Sequence, residues 1–334
     1  MTGGLVACTI GTRQYAMRGA DVREIVRAER MRPSGRSDGS TGTLVVAGNS
    51  IPVYSLGAVL DNTTASSASG AAGTDAAPSG HHIVVTHGSQ GPIGWLADRI
   101  VRSHLTERFD VLPLPFLTSV SNGWFEGVLI VEGSPLLLLS PRRLDPRVAR
   151  DRARSDAAIP ETDAPAASPS ADAGPPLVVM FSSPALPRCG APRYALSARR
   201  IAAVVQSLDV TPVPGCPPHV TGVAVWRGLV MPVIDFRPTG ERTTIEGTRF
   251  LIARCGRTLR GGSVAFAVDS ELGLHKPTAE DREADGDDST PSFIAGMFNV
   301  LGDRLALLDL DTLLCSGGAI ETILNTQTHR RPRR

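Results

Sequence analysis

Three histidines lie close together in the first third of the chain and are the first candidates for metal binding. They are His81, His82 and His87. A strand offers ligands on one face every second residue, and His87 lies beyond Thr86 at a predicted turn. No cysteine or carboxylate cluster supplies the remaining ligands of a metal site. We therefore interpret them as exposed loop histidines and predict no metal and no cofactor.

Several aspartates could form acid–base pairs, namely Asp98 with Asp269, or Asp235 with Asp309 and Asp311. Each of these aspartates ends a β-type run before a turn, a position where capping of the backbone explains a carboxylate. The serine of the run 88–91, Gly-Ser-Gln-Gly, lacks the G-x-S-x-G pattern of a nucleophile elbow. We therefore predict no catalytic residues. Turnover that is abolished by Asp235→Ala would revive the enzyme hypothesis.

Lysine is almost absent from the chain. Lys276 is the single lysine among 34 basic residues, and no glycine run precedes it. A phosphate-binding loop, a Schiff-base site or a kinase site would each require a suitably placed lysine. The net charge of +1 also provides no overall field that would attract nucleic acid or an anionic membrane. The basic C-terminal run His329–Arg334 has no interleaved aromatic residue and is predicted to be solvated.

The cysteine pattern predicts an intracellular protein. The five cysteines are scattered and show no C-x-x-C spacing, so they are interpreted as small buried apolar residues. The N-terminus lacks the pattern of a signal peptide. The longest apolar run, Gly127–Leu139, is interrupted by Glu132 and Pro135 and is too short to cross a bilayer. We predict a cytoplasmic chain without direct membrane insertion.

Short β-branched runs on either side of a glycine predict four hairpins. The glycine matters because it adopts the positive φ that a two-residue hairpin turn requires. Helical pattern is scarce, with short turns predicted after Leu56 and after Asp309. Many short strands with turn signals indicate sheets closed into small barrels. The paired runs are 43–46 with 51–54, 128–131 with 136–139, 223–226 with 229–234, and 299–301 with 305–308.

Polar segments divide the chain into domains. We predict a first domain at residues 1–147 with a flexible insertion at 61–80, a Pro/Ala-rich linker at 148–176, a second domain at 177–316 and a tail at 317–334. A third polar stretch, Glu280–Asp288, is predicted to be a solvated loop.

The hairpins of the two halves match one another. Tyr15-Ala-Met matches Tyr194-Ala-Leu at an offset of 179, and Pro52 matches Pro232 at an offset of 180. Beyond the insertion the offset falls to 171 for Trp95 against Phe266. The chain is therefore interpreted as a tandem duplication with nine extra residues in its first copy.

Each half resembles a CheW-like domain, the adaptor module of bacterial chemosensory systems. The segment Gly222–Phe236 of the second half is similar to the G-x-x-x-x-R-G-x-x-x-P-x-x-D core of that family, with Arg227, Gly228, Pro232 and Asp235 at its marked positions. Val22, Glu24 and Ile25 of the first half resemble the V-x-E-I signature.

The resemblance implies a mainly β fold in which each domain consists of two SH3-like, five-stranded β-barrels. It also implies a non-catalytic adaptor that binds the regulatory domain of the histidine kinase CheA and the cytoplasmic tip of chemoreceptors. Association with the membrane would then occur through receptor arrays. The implied receptor- or kinase-binding residues are Val22, Glu24, Ile25, Trp226, Arg227, Gly228, Pro232 and Asp235.

Neither half carries the complete Glu–Arg pair of the family. Ala47 occupies the arginine position of the first half, Ala203 occupies the glutamate position of the second, and Ser55 replaces the aspartate that Asp235 matches. We therefore expect the copies to have divided or altered their receptor contacts. The alternative is a CheW-fold scaffold that bridges kinase domains in an array, or serves a motility or regulatory pathway, without receptor contact. Trp226 could be either a core residue or an exposed anchor, whereas Trp124 is predicted to lie in the core.

Overall fold

The computed structural model describes most of the predicted strands and helices of the chain. The described residues are 4–33, 39–61, 80–103, 110–114, 123–146, 177–182, 193–217, 219–236, 248–255, 262–268, 272–278, 280–283, 292–300 and 302–315. The predicted linker at 148–176, the tail at 317–334 and all but the ends of the predicted insertion lie outside these residues.

The contacts between Cα atoms divide the chain into two compact units. The first comprises Met1–Leu114, Thr118–Asp163 and Thr211–Cys216, and the second comprises Pro115–Leu117, Ala164–Val210 and Pro217–Arg334. The predicted domain boundaries at residues 147 and 177 stay a prediction.

The first half is built from two sheets. One has the strand order β10-β11-β2-β1-β9 and the other the order β3-β7-β8-β6-β5-β4. The strands are β1 (Leu5–Ile10), β2 (Arg13–Arg18), β3 (Val22–Arg27), β4 (Met31–Pro33), β5 (Gly42–Val46), β6 (Asn49–Ser55), β7 (His82–Gly88), β8 (Gly91–Ala97), β9 (Arg99–Ser103), β10 (Phe125–Val131) and β11 (Ser134–Leu139).

The second half repeats these sheets with the equivalent strands in the equivalent order. One sheet has the order β21-β22-β13-β12-β20 and the other the order β14-β18-β19-β17-β16-β15. The strands are β12 (Val178–Phe181), β13 (Arg193–Ser197), β14 (Ile201–Val205), β15 (Val210–Thr211), β16 (Val220–Trp226), β17 (Leu229–Ile234), β18 (Arg249–Arg254), β19 (Ser263–Val268), β20 (Gly273–His275), β21 (Ile294–Val300) and β22 (Asp303–Leu308).

The predicted mainly β, duplicated architecture is confirmed. Each half contains two curled sheets of the kind that SH3-like barrels form. One sheet in each half has the five predicted strands, and the other has six because a short edge strand, β4 or β15, is added.

All four predicted hairpins are present as antiparallel pairs of strands, β5–β6, β10–β11, β16–β17 and β21–β22. The paired runs 43–46 and 51–54 flank Gly48 and Asn49 and so predict a turn there, but the turn of the first hairpin lies one residue earlier. Val46 pairs with Asn49, so the turn residues are Ala47 and Gly48 rather than Gly48 and Asn49. The cause is the left-handed conformation of Ala47, which a non-glycine residue rarely adopts and which composition does not signal.

Each of the four sheets contains one parallel pair of strands, and the register of that pair is the same in the two halves. Tyr15 pairs with Leu137 in the first half, and Tyr194 pairs with Ala306 in the second. Tyr54 likewise pairs with Trp95, and Ile234 pairs with Phe266. The two halves therefore keep the same pairings despite the change of offset along the sequence, which supports the duplication.

Short helices follow strands at equivalent points. They are α1 (Leu56–Leu60), α2 (Pro141–Leu144) and α3 (Leu310–Cys315), and the two predicted turns correspond to α1 and α3. Ser55 caps α1 by accepting a hydrogen bond from the Ala58 N–H at 3.3 Å.

Every sheet has its own apolar core of alternating inward residues. Leu129 and Leu138 lie in one core of the first half, and Leu44 and Val53 lie in the other. The cores of the second half contain Val178 and Leu305 in one sheet, and Met231 and Ile252 in the other. Trp124 is 5% exposed and belongs to the buried interior, as predicted.

Candidate interaction surfaces

The V-x-E-I residues of the first half lie on β3, which is an edge strand of its sheet. Val22, Glu24 and Ile25 are all half-buried, and a β-bulge lies between Val22 and Glu24 where the strand pairs with β7. Bulges at a sheet edge redirect the side chains around them. β3 therefore presents a short, partly exposed strip that contains one carboxylate.

β14 is the counterpart of β3 in the second half. It carries the same bulge, here between Ile201 and Ala203 in its pairing with β18. The shared bulge aligns Ala203 with Glu24, in agreement with the sequence offset. The carboxylate of this position is thus absent from the second half, while the backbone that would present it is retained.

The position of the family's arginine, Arg227 in the second half and Ala47 in the first, has the same backbone conformation in both halves. Arg227 and Gly228 have φ values of 51° and 77°, and Ala47 and Gly48 have φ values of 48° and 80°. Two successive positive φ values define the type I′ turn, which matches the twist of the strands that it joins. The two halves therefore hold an arginine and an alanine at the same point of the same turn.

Arg227 is exposed and its guanidinium lies against the ring of Trp226. The guanidinium carbon is 4.5 Å from the centroid of the indole ring, within the range of a cation–π interaction. Trp226 is half-buried and packs against the core below it. Leu229, its cross-strand partner, is 57% exposed. Trp226 therefore packs in the core and also supports the exposed end of the hairpin, where the cation of Arg227 lies near the exposed apolar side chain of Leu229.

Pro232 lies on the same hairpin but is buried. It is opposite Val223, and the parallel pairing of β17 with β19 begins only at the next residue, Val233. The missing N–H of a proline is tolerated where the ladder has not yet begun. Pro52 of the first half occupies the same position, one residue before Val53.

Asp235 is also buried, with 3% of its surface exposed. Its N–H donates to the carbonyl oxygen of His219 at 2.8 Å, and the ring of His219 stacks on that of Phe236. The equivalent residue in the first half is Ser55, which caps α1. Serine, like aspartate, is a favoured N-cap residue.

The predicted binding residues thus form two separate groups, one in each half. Val22, Glu24 and Ile25 lie together on β3. Trp226, Arg227, Gly228, Pro232 and Asp235 lie together on the β16–β17 hairpin and the residue after it.

The alternative catalytic aspartates have structural partners. Asp98 accepts a hydrogen bond from the Gly11 N–H at 2.6 Å, and Asp309 caps α3 by accepting bonds from the Asp311 N–H and the Thr312 hydroxyl. Asp311 also forms a 2.7 Å ion pair with Arg200. The capping interpretation of Asp98 and Asp309 is confirmed, while Asp269 lies outside the described residues.

The interpretation of His81, His82 and His87 as exposed loop histidines is wrong in part, because His82 and His87 lie on β7 and only His87 is exposed. Across the described ranges, no three His, Cys, Asp or Glu side chains lie close enough together to hold a metal ion. Burial raises the pKa of the Cys8, Cys216 and Cys255 thiols to about 12, which disfavours the thiolate that a nucleophile or metal ligand needs.

One buried polar contact was missed by sequence reasoning. The Ser89 hydroxyl donates to Asp145 at 3.0 Å, and Asp145 is completely buried at the end of α2. The local signal is an aspartate before Pro146, which marks the end of a helix but does not reveal a distant partner.

Of the solved structures, the scaffolding protein TtCheW from Thermoanaerobacter tengcongensis is similar at 21% identity, covering 43% of this chain and 95% of that one with a TM-score of 0.35. No curated protein matches the chain. Among the described residues, no helix is long and apolar enough to cross a membrane.

The family comparison covers both halves. The sequence model of the CheW-like domain matches residues 4–147 and again residues 186–317. These two matches include both V-x-E-I-type edge strands, β3 and β14, and both type I′ turns. Proteins of this family are non-catalytic scaffolds of chemotaxis that normally interact with chemoreceptors and CheA. The chain therefore belongs to the CheW-like domain family and contains that domain twice.

Proposed function

We propose that this protein is a cytoplasmic, non-catalytic adaptor that couples chemoreceptors to the histidine kinase CheA. The observation that carries the proposal is the presence of two complete CheW-like folds in one chain. Association with the membrane would be indirect, through receptor arrays. No cofactor or nucleic acid takes part in this function.

The β16–β17 hairpin is one proposed contact surface. Arg227 offers a cation that is held in place on Trp226, and the neighbouring Leu229 offers exposed apolar area. An arginine that stacks on an aromatic ring is the kind of residue that dominates binding energy at protein interfaces. The buried Pro232 and Asp235 would act by holding this hairpin rather than by touching a partner.

β3 is the second proposed contact surface. Glu24 presents its carboxylate at a bulged sheet edge, with Val22 and Ile25 partly exposed beside it. A carboxylate flanked by apolar side chains suits a partner surface that alternates basic and apolar residues. We propose that the first half contributes the acidic contact and the second half contributes the basic one.

Binding measurements on the full chain test this proposal. Each variant would be titrated by calorimetry with the regulatory domain of CheA and, separately, with a receptor tip fragment. We expect Arg227→Glu and Glu24→Arg each to weaken binding to at least one partner by tenfold or more, on the order of 1–3 kcal/mol. Matched controls are Arg254→Glu and Glu132→Arg, which change the charge of exposed residues that belong to neither β3 nor the β16–β17 hairpin.

The outcomes separate the adaptor from its alternative. Kinase binding without receptor binding would favour a scaffold that bridges kinase domains or serves another pathway. Ala47 and Ala203 are the observation behind this alternative, since each removes one member of the Glu–Arg pair from its own half. Binding to neither partner would contradict both functions while leaving the family assignment intact.

A further inference from the structure

Three exposed arginines lie close together along one short stretch of the first half. The stretch consists of the end of β3, the 3-10 helix Ala28–Arg30 and β4, which follow one another without a break in the chain. Glu29 is the only exposed carboxylate between Val22 and Pro33. We call the three side chains the arginine seam: Arg27, Arg30 and Arg32.

The guanidinium groups of the arginine seam have no partner in the part of the chain that the structure describes. None of them forms an ion pair or donates a side-chain hydrogen bond there. Other arginines are neutralised locally, since Arg18 contacts Glu126 and Arg304 contacts Glu283, each at 2.6 Å. The positive charge of the arginine seam is therefore available to a partner.

The arginine seam lies on the outer side of its sheet. Val26 and Met31 pack in the apolar core, so the residue after each of them, Arg27 or Arg32, points away from that core. Glu24 pairs with Val85 of the same core and lies on the same face of β3 as Val26. The arginine seam is therefore separate from the contact proposed for Glu24.

The backbone beside the arginine seam is open. β3 and β4 are the two ends of the sheet order β3-β7-β8-β6-β5-β4, and among the described residues each pairs on one side only. The outer N–H and C=O groups of an edge strand can pair with an added extended segment. Such a segment would set its own side chains beside those of the edge strand, where opposite charges attract.

The second half has no arginine seam. At the offset of 179, the equivalents of its three residues are uncharged or acidic: Gln206, Asp209 and Thr211. β14, the counterpart of β3, carries no charged residue at all. Charges on an edge strand can serve only to prevent pairing between molecules. Because the fold retains the equivalent edge without charges, that protective role alone does not explain the arginines.

We propose that the arginine seam binds an extended acidic segment of a partner protein. The backbone of the segment pairs with the open edge of β3, and its carboxylates contact the guanidinium groups, whose planar fork matches a carboxylate. This site is additional to the adaptor contacts and does not depend on them.

Two other classes of anionic partner fit the stretch less well. Between Val22 and Pro33 there is no aromatic residue on which a nucleic-acid base could stack. Its exposed side chains include no apolar residue other than Pro33 that could insert into a lipid surface. Neither a nucleic acid nor a lipid headgroup offers the alternating N–H and C=O groups that an open strand edge pairs with.

Fluorescence anisotropy of a labelled peptide, titrated with the full chain at low salt, tests the proposal. The probe is a short peptide of alternating glutamate and threonine, which as a strand sets all its carboxylates on one face. We expect binding that weakens as the salt concentration rises. A peptide with proline in place of each threonine keeps the carboxylates but loses half of its N–H donors, and should bind about tenfold more weakly or worse.

A triple variant removes the charge of the arginine seam. Arg27→Gln, Arg30→Gln and Arg32→Gln together should weaken binding of the glutamate–threonine peptide by about tenfold or more. The matched control changes the net charge equally at three exposed arginines elsewhere that also lack ion pairs, and should bind like wild type: Arg99→Gln, Arg142→Gln and Arg254→Gln. Circular dichroism checks folding. If the triple variant does not fold, Arg30→Gln alone should still weaken binding about threefold.

Four results would overturn the proposal. They are a wild type that does not bind the peptide even at low salt, an equal loss of binding in the control variant, a proline peptide that binds as tightly, and tighter binding to a short oligothymidylate or to phosphatidylserine vesicles than to the peptide. Because the assay contains neither CheA nor a receptor, its failure would not bear on the adaptor function.

Discussion

Three hairpin turns in the described part of the chain share one conformation with different side chains. Ala47, Glu132 and Arg227 all have φ near 50°, and each is followed by a glycine. A non-glycine residue in this region costs about 1 kcal/mol relative to glycine. This backbone strain is a property of the turn and does not indicate a functional side chain, because it also occurs at Ala47, whose side chain is only a methyl group. What distinguishes Arg227 is its stacking on Trp226.

Replacing Ala47 by glycine should stabilise the protein. A glycine at this position would adopt the left-handed conformation without a Cβ clash, and we expect the free energy of unfolding to rise by roughly 0.5–1 kcal/mol. Ala58→Gly is the matched control, since Ala58 lies exposed inside α1 and the same change there should destabilise by about the same amount. Urea unfolding measures the change in the free energy of unfolding for both variants. Changes of the same sign in the two variants would contradict this prediction.

A second prediction at this scale concerns Glu283. Hydrogen bonds from Arg304, together with the charge of that arginine, lower the pKa of this half-buried carboxylate, and the closest approach is 2.6 Å. A lowered pKa in the folded state means that the pair stabilises above the ordinary glutamate pKa and ceases to do so as the pH falls through the lowered value. The Arg304→Gln variant should therefore differ from wild type most at neutral pH, with a difference that disappears in acid.

Urea unfolding midpoints measured from neutral to acidic pH, together with an NMR titration of Glu283, would check this. The pKa of Glu283 should rise towards its ordinary value in the variant. Arg254→Gln, another exposed arginine, should show no such change with pH. A pH-independent effect of Arg304→Gln would mean that the arginine acts through packing.

At the scale of elements, a single residue outside the named strands pairs with an edge strand in each half of the chain. Leu112 exchanges two 2.8 Å backbone hydrogen bonds with Val128 on β10, and Arg282 pairs with Phe298 on β21. The bonds around Arg282 are made by its neighbours, since the Glu283 N–H donates to the Met297 carbonyl oxygen at 2.9 Å and the Asn299 N–H donates to that of Asp281 at 2.7 Å. Both halves therefore cover the same sheet edge, but with different hydrogen bonds. Covering an edge prevents unwanted pairing between molecules. Among the described residues, the edge strands β3 and β14 have no comparable cover.

Gly127 provides the space for the Leu112 bridge. A Cβ added at Gly127 would clash with the carbonyl oxygen of Leu112 and with Val111. Gly127→Ala should therefore displace the bridge and destabilise the protein by roughly 1–3 kcal/mol, a typical range for overpacking. Gly296 is the equivalent of Gly127 in the second half, and there an added Cβ would meet only Phe298 at an ordinary 3.5 Å.

Thermal and urea unfolding of both variants would measure this difference between the halves. Gly296→Ala should lie close to wild type. Hydrogen exchange of the Val128 N–H should rise in Gly127→Ala, because that amide loses its acceptor. Equal destabilisation by the two substitutions would indicate that the glycines are needed for backbone conformation rather than for space.

At the scale of the whole molecule, the chain carries two domains whose predicted partner-binding residues have diverged in a reciprocal way. The first half keeps Glu24 and lacks the arginine, whereas the second keeps Arg227 and lacks the glutamate. The backbone at all four positions is the same, as the shared bulges and turns show. The divergence therefore changes the side chains at these positions but leaves the backbone that carries them unchanged.

Restoring the missing side chains tests the division of roles. On the proposed function, Ala47→Arg in the first half or Ala203→Glu in the second should strengthen receptor-tip binding by roughly tenfold, the order expected for one charge-assisted contact. Calorimetry with the full chain would measure the affinity and the number of sites. Val45→Arg, which adds the same charge two residues from Ala47, is the control. No gain from either restoration would count against divided receptor contacts.

Much of this architecture could be predicted from the sequence because its signals are local. β-branched runs with a glycine between them define the hairpins, and repetition of those hairpins reveals the duplication. The bridges at Leu112 and Arg282 could not be predicted, because a single paired residue has no periodicity. The stacking of Arg227 on Trp226 depends on a turn conformation that composition does not specify, and the burial of Asp145 depends on the distant Ser89.

The parallel pairing of β2 with β11 also has a consequence during synthesis. Tyr15 meets Leu137 in this pair, so β2, which can pair with β1 at once, can gain its second neighbour only after a strand near the end of the first domain has been made. The second domain repeats the arrangement, because Tyr194 pairs with Ala306. Contacts between residues so far apart in sequence form late and slow folding. On the ribosome, each domain must therefore remain incomplete until its last hairpin has emerged, and the first can close while the second is still being translated.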